Sequence, residues 1–468
     1  TGNLGTLTIA LTGGNGAGGG YSDLNTLASA GVSGAGGGGL YLYGNAATHL
    51  TIGANVKGGS NTLNGLVYIG GMGGSGIFAV NTADTTTITV GAGRTVSGGK
   101  GGNATAGGNS WGTLYPQGIA GAGGIGIGGS NVHVVLRPTS TVSGGLSGDY
   151  LAPLSISVVT PGTTRSNAIQ FTDGVNVLEL EGNGGISGQT YATITGNVVG
   201  GGIVNTLRLS GAGGVFDVSQ LDAQTGGSVQ FQGMNVVDVT SSGTWRVTGQ
   251  QAGTVGGAWS VGGGTLQLGS GSTAGGIKGT IDINSGGTLT NGQSLTGSVA
   301  GSVLTNSGGT VALQAVASGP ALTSTGSFAL FGGSTFDVTL GAPTTTALVA
   351  TDLNLSYAGA LVINANSTLA EGTYTLVSYG GNLAGSNNGF TSITGSSDFE
   401  YTAGVDTTAK LLTLQVVGAG LSWNGTTTTG SSGPVAGGSG TWTASNSVTN
   451  WTNSAGTSRV ASDSAKAA

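Results

Sequence analysis

The chain has 468 residues, of which 101 are glycine and none is cysteine. Its 11 lysines and arginines against 17 acidic residues leave a net charge of −6, which excludes the basic surface that nucleic-acid binding needs. Only seven prolines and no sustained Gly-X-Y triplet exclude a collagen, and 37% hydrophobic residues with a mean hydropathy of +0.20 exclude a disordered chain.

The composition favours β-strands over helices. Helix-forming residues are few, and the apolar residues are mostly β-branched and alternate with threonine, serine and asparagine. No run of 18 apolar residues is present that could span a membrane as a helix. The chain opens on Thr1 without a charged and then an apolar segment, which we interpret as a mature or trimmed product. The lack of cysteine suits a chain that crosses membranes unfolded, and a biased composition explains it equally well.

Three short β-patterns recur in the same order through the first half of the chain. A leading apolar strand is followed by a second strand that alternates with period two, as half-buried strands do, and then by a turn with glycines. The leading strands are predicted at 40–42, 77–80, 125–127 and 169–171. The second strands are predicted at 50–52, 88–90, 132–134 and 177–180. The turns are predicted at 56–59, 96–99, 142–145 and 184–188.

The spacing of these patterns predicts a solenoid. In the turns, Val96 follows Val56 by 40 residues and Val142 follows Val96 by 46 residues. Repeats too small to bury their own apolar faces stack on one another and share one core. We expect two coils of about 20 residues in each repeat. The predicted fold class is all-β, a right-handed parallel β-helix with glycine-rich loop excursions.

Glycine-dense segments separate the predicted strands at 13–20, 34–39 and 98–129. They carry few side chains that could anchor them, so we expect them to run outside the core. The last segment contains Trp111 and Tyr115, our candidate binding residues. They form either an adhesive, sugar-stacking patch or a cluster that pins a loop onto the core.

Tryptophan and Gly-Gly-Thr motifs replace the long insertions in the second half. One phrase comprises residues 243–249, 259–268 and 281–289, with Trp245, Trp259 and a final Gly-Gly-Thr-Leu. It resembles the passenger-associated transport repeat of autotransporters, also called type V secretion proteins. A later phrase at 421–425, 440–442 and 450–451 resembles their autotransporter-associated strand repeat. The resemblance covers most of residues 165–468, and residues 1–165 only in the style of their repeats.

The resemblance implies a passenger domain exposed on a Gram-negative cell and exported through the outer membrane, where a barrel in the parent protein anchors it. It implies a non-catalytic adhesive, self-associating or structural role toward host cells, neighbouring cells, glycans or further copies of the chain. A surface-layer or matrix protein that assembles into filaments or sheets is an alternative. We divide the chain into glycine-rich repeats at 1–165, a regular β-helix at 166–420 and a C-terminal strand repeat at 421–468.

Catalytic groups are sparse in the sequence. His49 and His133 have no carboxylate or cysteine beside them, which predicts surface or capping roles. Parallel β-helices include polysaccharide-acting enzymes with grouped acids, so Glu179 and Glu181 form an alternative acidic pair. They lie two apart on one predicted strand and point to the same side, where solvated acids that keep the protein soluble are the other interpretation. We expect no catalytic residue, no cofactor and no metal site.

Overall fold

The structure, a computed structural model, describes residues 2–16, 35–60, 69–110, 113–115, 117–152, 157–253, 258–292, 294–342, 345–356, 359–364, 369–385, 390–396, 399–418, 422–423, 451–452 and 459–460. The regular structure is almost entirely β-strand, which confirms the all-β prediction. A single 3₁₀ turn, Val218–Gln220, is the only helical element in these ranges. No helix in the described part of the chain is long and apolar enough to cross a membrane.

The chain divides into two compact units, Thr1–Gly292 and Gln293–Ala468. Unit 1 is a parallel β-helix whose coils visit three sheets in the same order as far as the strand Thr193–Thr195, after which the strands belong to sheets 1 and 2. Sheet 1 holds Leu40–Gly44, Ile77–Asn81, Ile127–Ser130, Ile169–Asp173, Val198–Val199 and Phe231–Gln232. Sheet 2 in unit 1 holds Gly2–Leu7, Thr48–Ile52, Thr86–Val90, Val132–Leu136, Val175–Gly182, Val204–Gly211, Gly213–Asp217, Val236–Gln250, Trp259–Leu268, Gly275–Lys278, Ile281–Ile283 and Gly287–Asn291. Sheet 3 holds Leu11–Thr12, Val56–Lys57, Thr95–Ser97, Thr141–Ser143 and Thr193–Thr195.

Three smaller groups of strands complete the described structure. Ala104–Thr105, Tyr150–Leu151 and Val158–Thr160 form one sheet, and Gly108–Ser110 pairs antiparallel with Thr113–Tyr115. Ser422–Trp423, Trp451–Thr452 and Arg459–Val460 form a third, antiparallel group. Two of the three groups therefore fall between sheet 3 of one coil and sheet 1 of the next.

The register of sheet 3 corrects the predicted number of coils. Val56 pairs directly with Val96, and Val96 pairs with Val142, so each repeat of 40 to 46 residues is one coil and not two. The glycine segments lengthen the coil without adding strands to its three sheets. The fourth turn was also misplaced, because Val142 pairs with Ile194 and not with residues 184–188.

The core of unit 1 is built from inward-facing apolar columns, because period-two alternation sends every second side chain of a strand inside. In sheet 2 one column runs through successive coils and is buried throughout, comprising Leu50, Ile88, Val134, Leu178, Leu207, Val237, Trp259 and Ile281. Complete burial of one such side chain stabilises the fold by about 2 kcal/mol. The predicted second strands therefore stack in register, as the repeat pattern indicates, whereas the third leading strand was misplaced, because Ile127 and not residue 125 pairs with Ile77.

A ladder of asparagines lies at the corner between sheets 1 and 2. The Nδ2 of Asn176 donates to Oδ1 of Asn205 at 3.1 Å, and Oδ1 of Asn235 accepts from the backbone N–H of Asn205 at 2.9 Å. On the preceding coils, Oδ1 of Asn131 accepts from the N–H of Val175 at 2.9 Å. Asn176 and Asn205 are buried, so these bonds satisfy polar groups that water does not reach.

Unit 2 repeats the three-sheet plan with shorter, regular coils. Val303 pairs with Phe328 and Phe328 with Leu353, so each of these coils takes 25 residues. Its strands are Gly297–Ala300, Val303–Thr305, Thr310–Gln314, Leu322–Ser324, Ser327–Leu330, Thr335–Thr339, Thr346–Ala350, Asp352–Leu355, Ala360–Asn364, Gly372–Tyr379, Leu383–Gly385, Ser392–Thr394, Phe399–Asp406 and Leu411–Gly418. The parallel order stops where Leu411–Gly418 pairs antiparallel with both Gly372–Tyr379 and Phe399–Asp406.

Candidate functional site

Glycine segments connect sheet 3 of each coil to sheet 1 of the next, and they stack into two layers. The outgoing layer contains residues 13–16, 58–60, 98–103 and 144–149. The return layer contains residues 35–39, 69–76, 119–126 and 164–168. We call the two layers together the glycine lattice.

Backbone hydrogen bonds join the layers in strict alternation. The N–H of Gly37 donates to the carbonyl oxygen of Gly14 at 2.7 Å, that of Gly59 to Gly37 at 2.8 Å, and that of Gly74 to Gly59 at 2.9 Å. The same alternation continues through Gly99, Gly124, Gly145 and Ser166. Each bond crosses between an outgoing and a return segment, so neither layer is complete without the other.

Further bonds run within each layer. In the outgoing layer the N–H of Gly101 donates to the carbonyl oxygen of Leu146 at 2.9 Å, and in the return layer that of Gly73 donates to Ala122 at 2.9 Å. Each segment is thus held both to its own layer and to the opposite layer. Backbone groups that would otherwise be buried without partners are satisfied in this way.

The lattice requires glycine because the segments approach more closely than side chains allow. A Cβ added at Gly59 would overlap the carbonyl oxygen of Gly14, and one at Gly99 would overlap that of Gly59. Neither obstacle is a movable side chain, since both are backbone atoms. This close approach accounts for the glycine pairs that follow the first four sheet 3 strands.

The expectation that the glycine segments run outside the core is wrong for the segment 98–129, whose described residues are mostly buried, whereas Ala35, Gly37 and Gly38 of the segment 34–39 are exposed. Gly59, Gly74, Gly99 and Gly124 are all buried. Sequence reasoning missed the lattice because glycine has no side chain whose pattern could show burial. The signal that could have found it is the regular recurrence of Gly-Gly at the same place in each repeat.

One ion pair stabilises the outgoing layer. Lys100 lies between two glycine pairs, and its Nζ is 2.5 Å from Oδ2 of Asp149 on the next coil. Burial by itself raises the pKa of Asp149, but the hydrogen bond from Gly162 and the charge of Lys100 outweigh it and leave that pKa below its usual value. The carboxylate therefore stays ionised near neutral pH and holds two coils together.

Beyond the lattice, the glycine-dense segment 98–129 continues into a hairpin formed by the strands Gly108–Ser110 and Thr113–Tyr115. The backbone of Tyr115 pairs there with Gly108. Trp111 and the side chain of Tyr115 lie outside the described part of the structure. Trp111 and Tyr115 thus belong to the segment that connects an outgoing segment of the glycine lattice, 98–103, to a return segment, 119–126.

A charged network lies on the outer face of sheet 2. Nε2 of His133 is 2.8 Å from Oε2 of Glu179, and the hydroxyl of Ser210 donates to Oε1 of the same carboxylate at 2.7 Å. Arg208 lies between two acids, with Nη1 at 3.7 Å from Glu179 and Nη2 at 3.5 Å from Asp238. Glu179, Arg208 and Asp238 stand in direct register on three successive coils.

The charged network corrects the interpretation of Glu179 as a solvated acid and gives His133, on the outer face of its strand, a partner. No carboxylate is near His133 in sequence, yet Glu179 of the following coil reaches it. Contact with His133 lowers the pKa of Glu179, burial opposes this, and Ser210 and Arg208 lower it further. Glu179 is therefore an ionised, largely enclosed group and not a solvated one.

Glu181 shares the outer face with Glu179, as strand alternation predicts, but its surroundings differ. Burial raises the pKa of Glu181, the charge of Arg137 at 3.7 Å opposes this, and the charge of Glu179 adds to it. His49, the other histidine, is exposed on an earlier coil, as a surface role predicts.

The lowered pKa of Glu179 does not suit this carboxylate to acid–base catalysis at neutral pH. A carboxylate with a lowered pKa is a weak base and an ineffective acid at neutral pH. The hydroxyl of Ser210 donates to Glu179 and not to His133, so the histidine does not activate it as a nucleophile. The arrangement is that of groups which stabilise one another across coils.

No family model matches the chain, and no curated protein matches it either. What the structure shows of this protein is a parallel β-helix with two groups of interest, the glycine lattice and the charged network.

Proposed function

We propose that this protein is a passenger domain of the autotransporter type, displayed outside a Gram-negative cell, with a non-catalytic adhesive, self-associating or structural role. The glycine lattice is the observation that carries the proposal. It joins the outgoing and return segments of successive coils to one another through backbone hydrogen bonds. Such a scaffold suits the presentation of segments to another surface.

The architecture also suits export before folding. Each coil of unit 1 bonds to the coils directly before and after it, so a chain that emerges gradually adds one coil at a time to those already folded. The sequence contains no cysteine that could cross-link the chain earlier. Its partners would be host cells, neighbouring cells, glycans or other copies of itself.

The test uses beads coated with the full chain. We expect them to bind bacterial or host cells, or one another, well above beads coated with an unrelated protein of similar charge. If the coated beads bind no cell and the free chain stays monomeric at high concentration, the adhesive and self-associating roles are wrong.

A polysaccharide-acting enzyme on the same fold is the competing proposal. The double variant Glu179→Gln, Glu181→Gln removes both acids of the candidate pair. Hydrolysis or elimination on a polysaccharide panel that the wild-type chain performs and this variant does not would replace our proposal with the enzyme.

A further inference from the structure

The outer face of sheet 1 carries a strip of outward residues in register across four coils. Tyr41 pairs with Phe78, Phe78 with Gly128, and Gly128 with Gln170. The strip covers three strand-to-strand steps and is therefore about 14 Å long. We call these four residues, with the adjacent Tyr43, the aromatic strip.

The aromatic end of the strip is open to solvent. Tyr41 is 62% exposed and Tyr43 is 71% exposed. The rings of Tyr41 and Phe78 are nearly parallel, with centroids 5.8 Å apart and an angle of 11° between their planes. Large aromatic side chains are normally buried, and exposed ones grouped on one face mark a binding surface.

The neighbouring glycine shapes this end of the strip. A Cβ at Gly128 would lie 3.0 Å from Cδ2 and 3.2 Å from Cε2 of the Phe78 ring. The ring therefore lies against the bare backbone of the next coil. A side chain at this position would press on the ring and disturb its alignment with Tyr41.

The other end of the strip supplies polar groups. Nδ2 of Asn167 donates to Oε1 of Gln170 at 3.1 Å, and both residues are half-buried. This bond fixes the two amides while leaving the Nε2 of Gln170 and the Oδ1 of Asn167 for a ligand. Together they offer donors and an acceptor to one ligand.

We propose that the aromatic strip binds an uncharged oligosaccharide lying along the β-helix, with sugar rings against Tyr41 and Phe78 and hydroxyls on the amides of Gln170 and Asn167. The inference rests on the proposed adhesive function and names its ligand class. Sugar rings present apolar C–H faces to aromatic rings and hydroxyls to amides, which matches the order of groups along the strip.

Two other ligand classes match the strip less well. Nucleic-acid strands also stack on aromatic rings, but they need cations for the phosphates, and the strip contains none. A stable protein partner needs roughly 800 Å² on each side, more than five residues provide. The neutral character of the strip likewise favours an uncharged glycan over an acidic one.

The experiment titrates the full chain by calorimetry with cellohexaose, chitohexaose and xylohexaose, and with hexagalacturonate as the anionic counterpart. We expect saturable binding of at least one neutral hexasaccharide and none of hexagalacturonate. Tyr41→Ala and Phe78→Ala should each weaken that binding about tenfold. Ile186→Ala is the matched control, because Ile186 is 65% exposed and lies outside the strip.

Circular dichroism and the melting temperature establish that each variant is folded. If Tyr41→Ala does not fold, Gln170→Ala replaces it and should weaken binding severalfold. The inference is overturned if no neutral hexasaccharide binds, if hexagalacturonate binds as well as they do, or if folded strip variants bind like the wild type. Beads coated with Tyr41→Ala that adhere like the wild type would reject the strip and leave the adhesive function standing.

Discussion

The N–H of Gly59 donates to the carbonyl oxygen of Gly37 at 2.8 Å, although the two residues belong to segments running in opposite directions. Gly59 leaves sheet 3, and Gly37 returns toward sheet 1. This bond is one step of the alternation that joins both layers of the glycine lattice. The stability of the glycine lattice therefore depends on the absence of side chains at many positions at once.

Gly59→Ala tests the close approach in the lattice. The new Cβ would overlap the backbone of Gly14, so we expect a loss of about 3 kcal/mol in the free energy of unfolding. Gly14→Ala is the matched control, because a Cβ there meets nothing within 4 Å. It should change stability by less than about 0.5 kcal/mol. Equal urea midpoints for the two variants would contradict the lattice.

Asn205→Ala tests the asparagine ladder. The substitution removes bonds to Asn176 and to the neighbouring coil and leaves buried partners unsatisfied, so we expect a loss of about 2 kcal/mol. Asn45→Ala is the control, since Asn45 is exposed in the equivalent corner, between the strands Leu40–Gly44 and Thr48–Ile52. Urea unfolding measures both variants, and a wild-type midpoint for Asn205→Ala would show that the ladder does not stabilise the corner.

Acid should weaken unit 1 through Glu179. Its pKa in the folded chain lies below the ordinary 4.5, so the carboxylate stabilises the fold above that value. This contribution is lost as the pH falls from 4.5 through the lowered pKa. Glu179→Gln should lower the melting temperature near neutral pH and flatten its decrease between about pH 5 and about pH 3.

Glu181→Gln is the control for the acid effect. The pKa of Glu181 is raised, so its ionised form contributes no stability that acid could remove. Protonation of Glu181 partly offsets the acid loss in the wild type, so this variant should keep that loss of stability or make it slightly steeper. The interpretation of the charged network fails if Glu179→Gln and Glu181→Gln have the same dependence of melting temperature on pH.

Folding is expected to depend on the C-terminal strands more than on the first coil. Deletion of residues 372–420 removes Gly372–Tyr379 and both strands that pair antiparallel at this end of unit 2. We expect this deletion to slow refolding from urea far more than removal of residues 1–50. Stopped-flow fluorescence measures both rates, and equal rates would show that folding does not start at these strands.

Much of the β-helix could be predicted from local patterns. Alternation placed Leu50, Ile88 and Leu178 inside, and the recurring strands showed which segments stack. The same alternation put Glu179 and Glu181 on one outer face. These features depend on residues a few positions apart, so the sequence displays them directly.

The sequence by itself thus determined an all-β solenoid, because repeated strands with one apolar face can bury it only against their own neighbours. Only the tertiary structure decided that the repeats are single coils, that the glycines pack into a lattice, and that Glu179 meets His133 and Arg208. Those relationships join residues about 15 to 50 positions apart through coils of unequal length. Glycine, moreover, has no side chain to mark where it is buried.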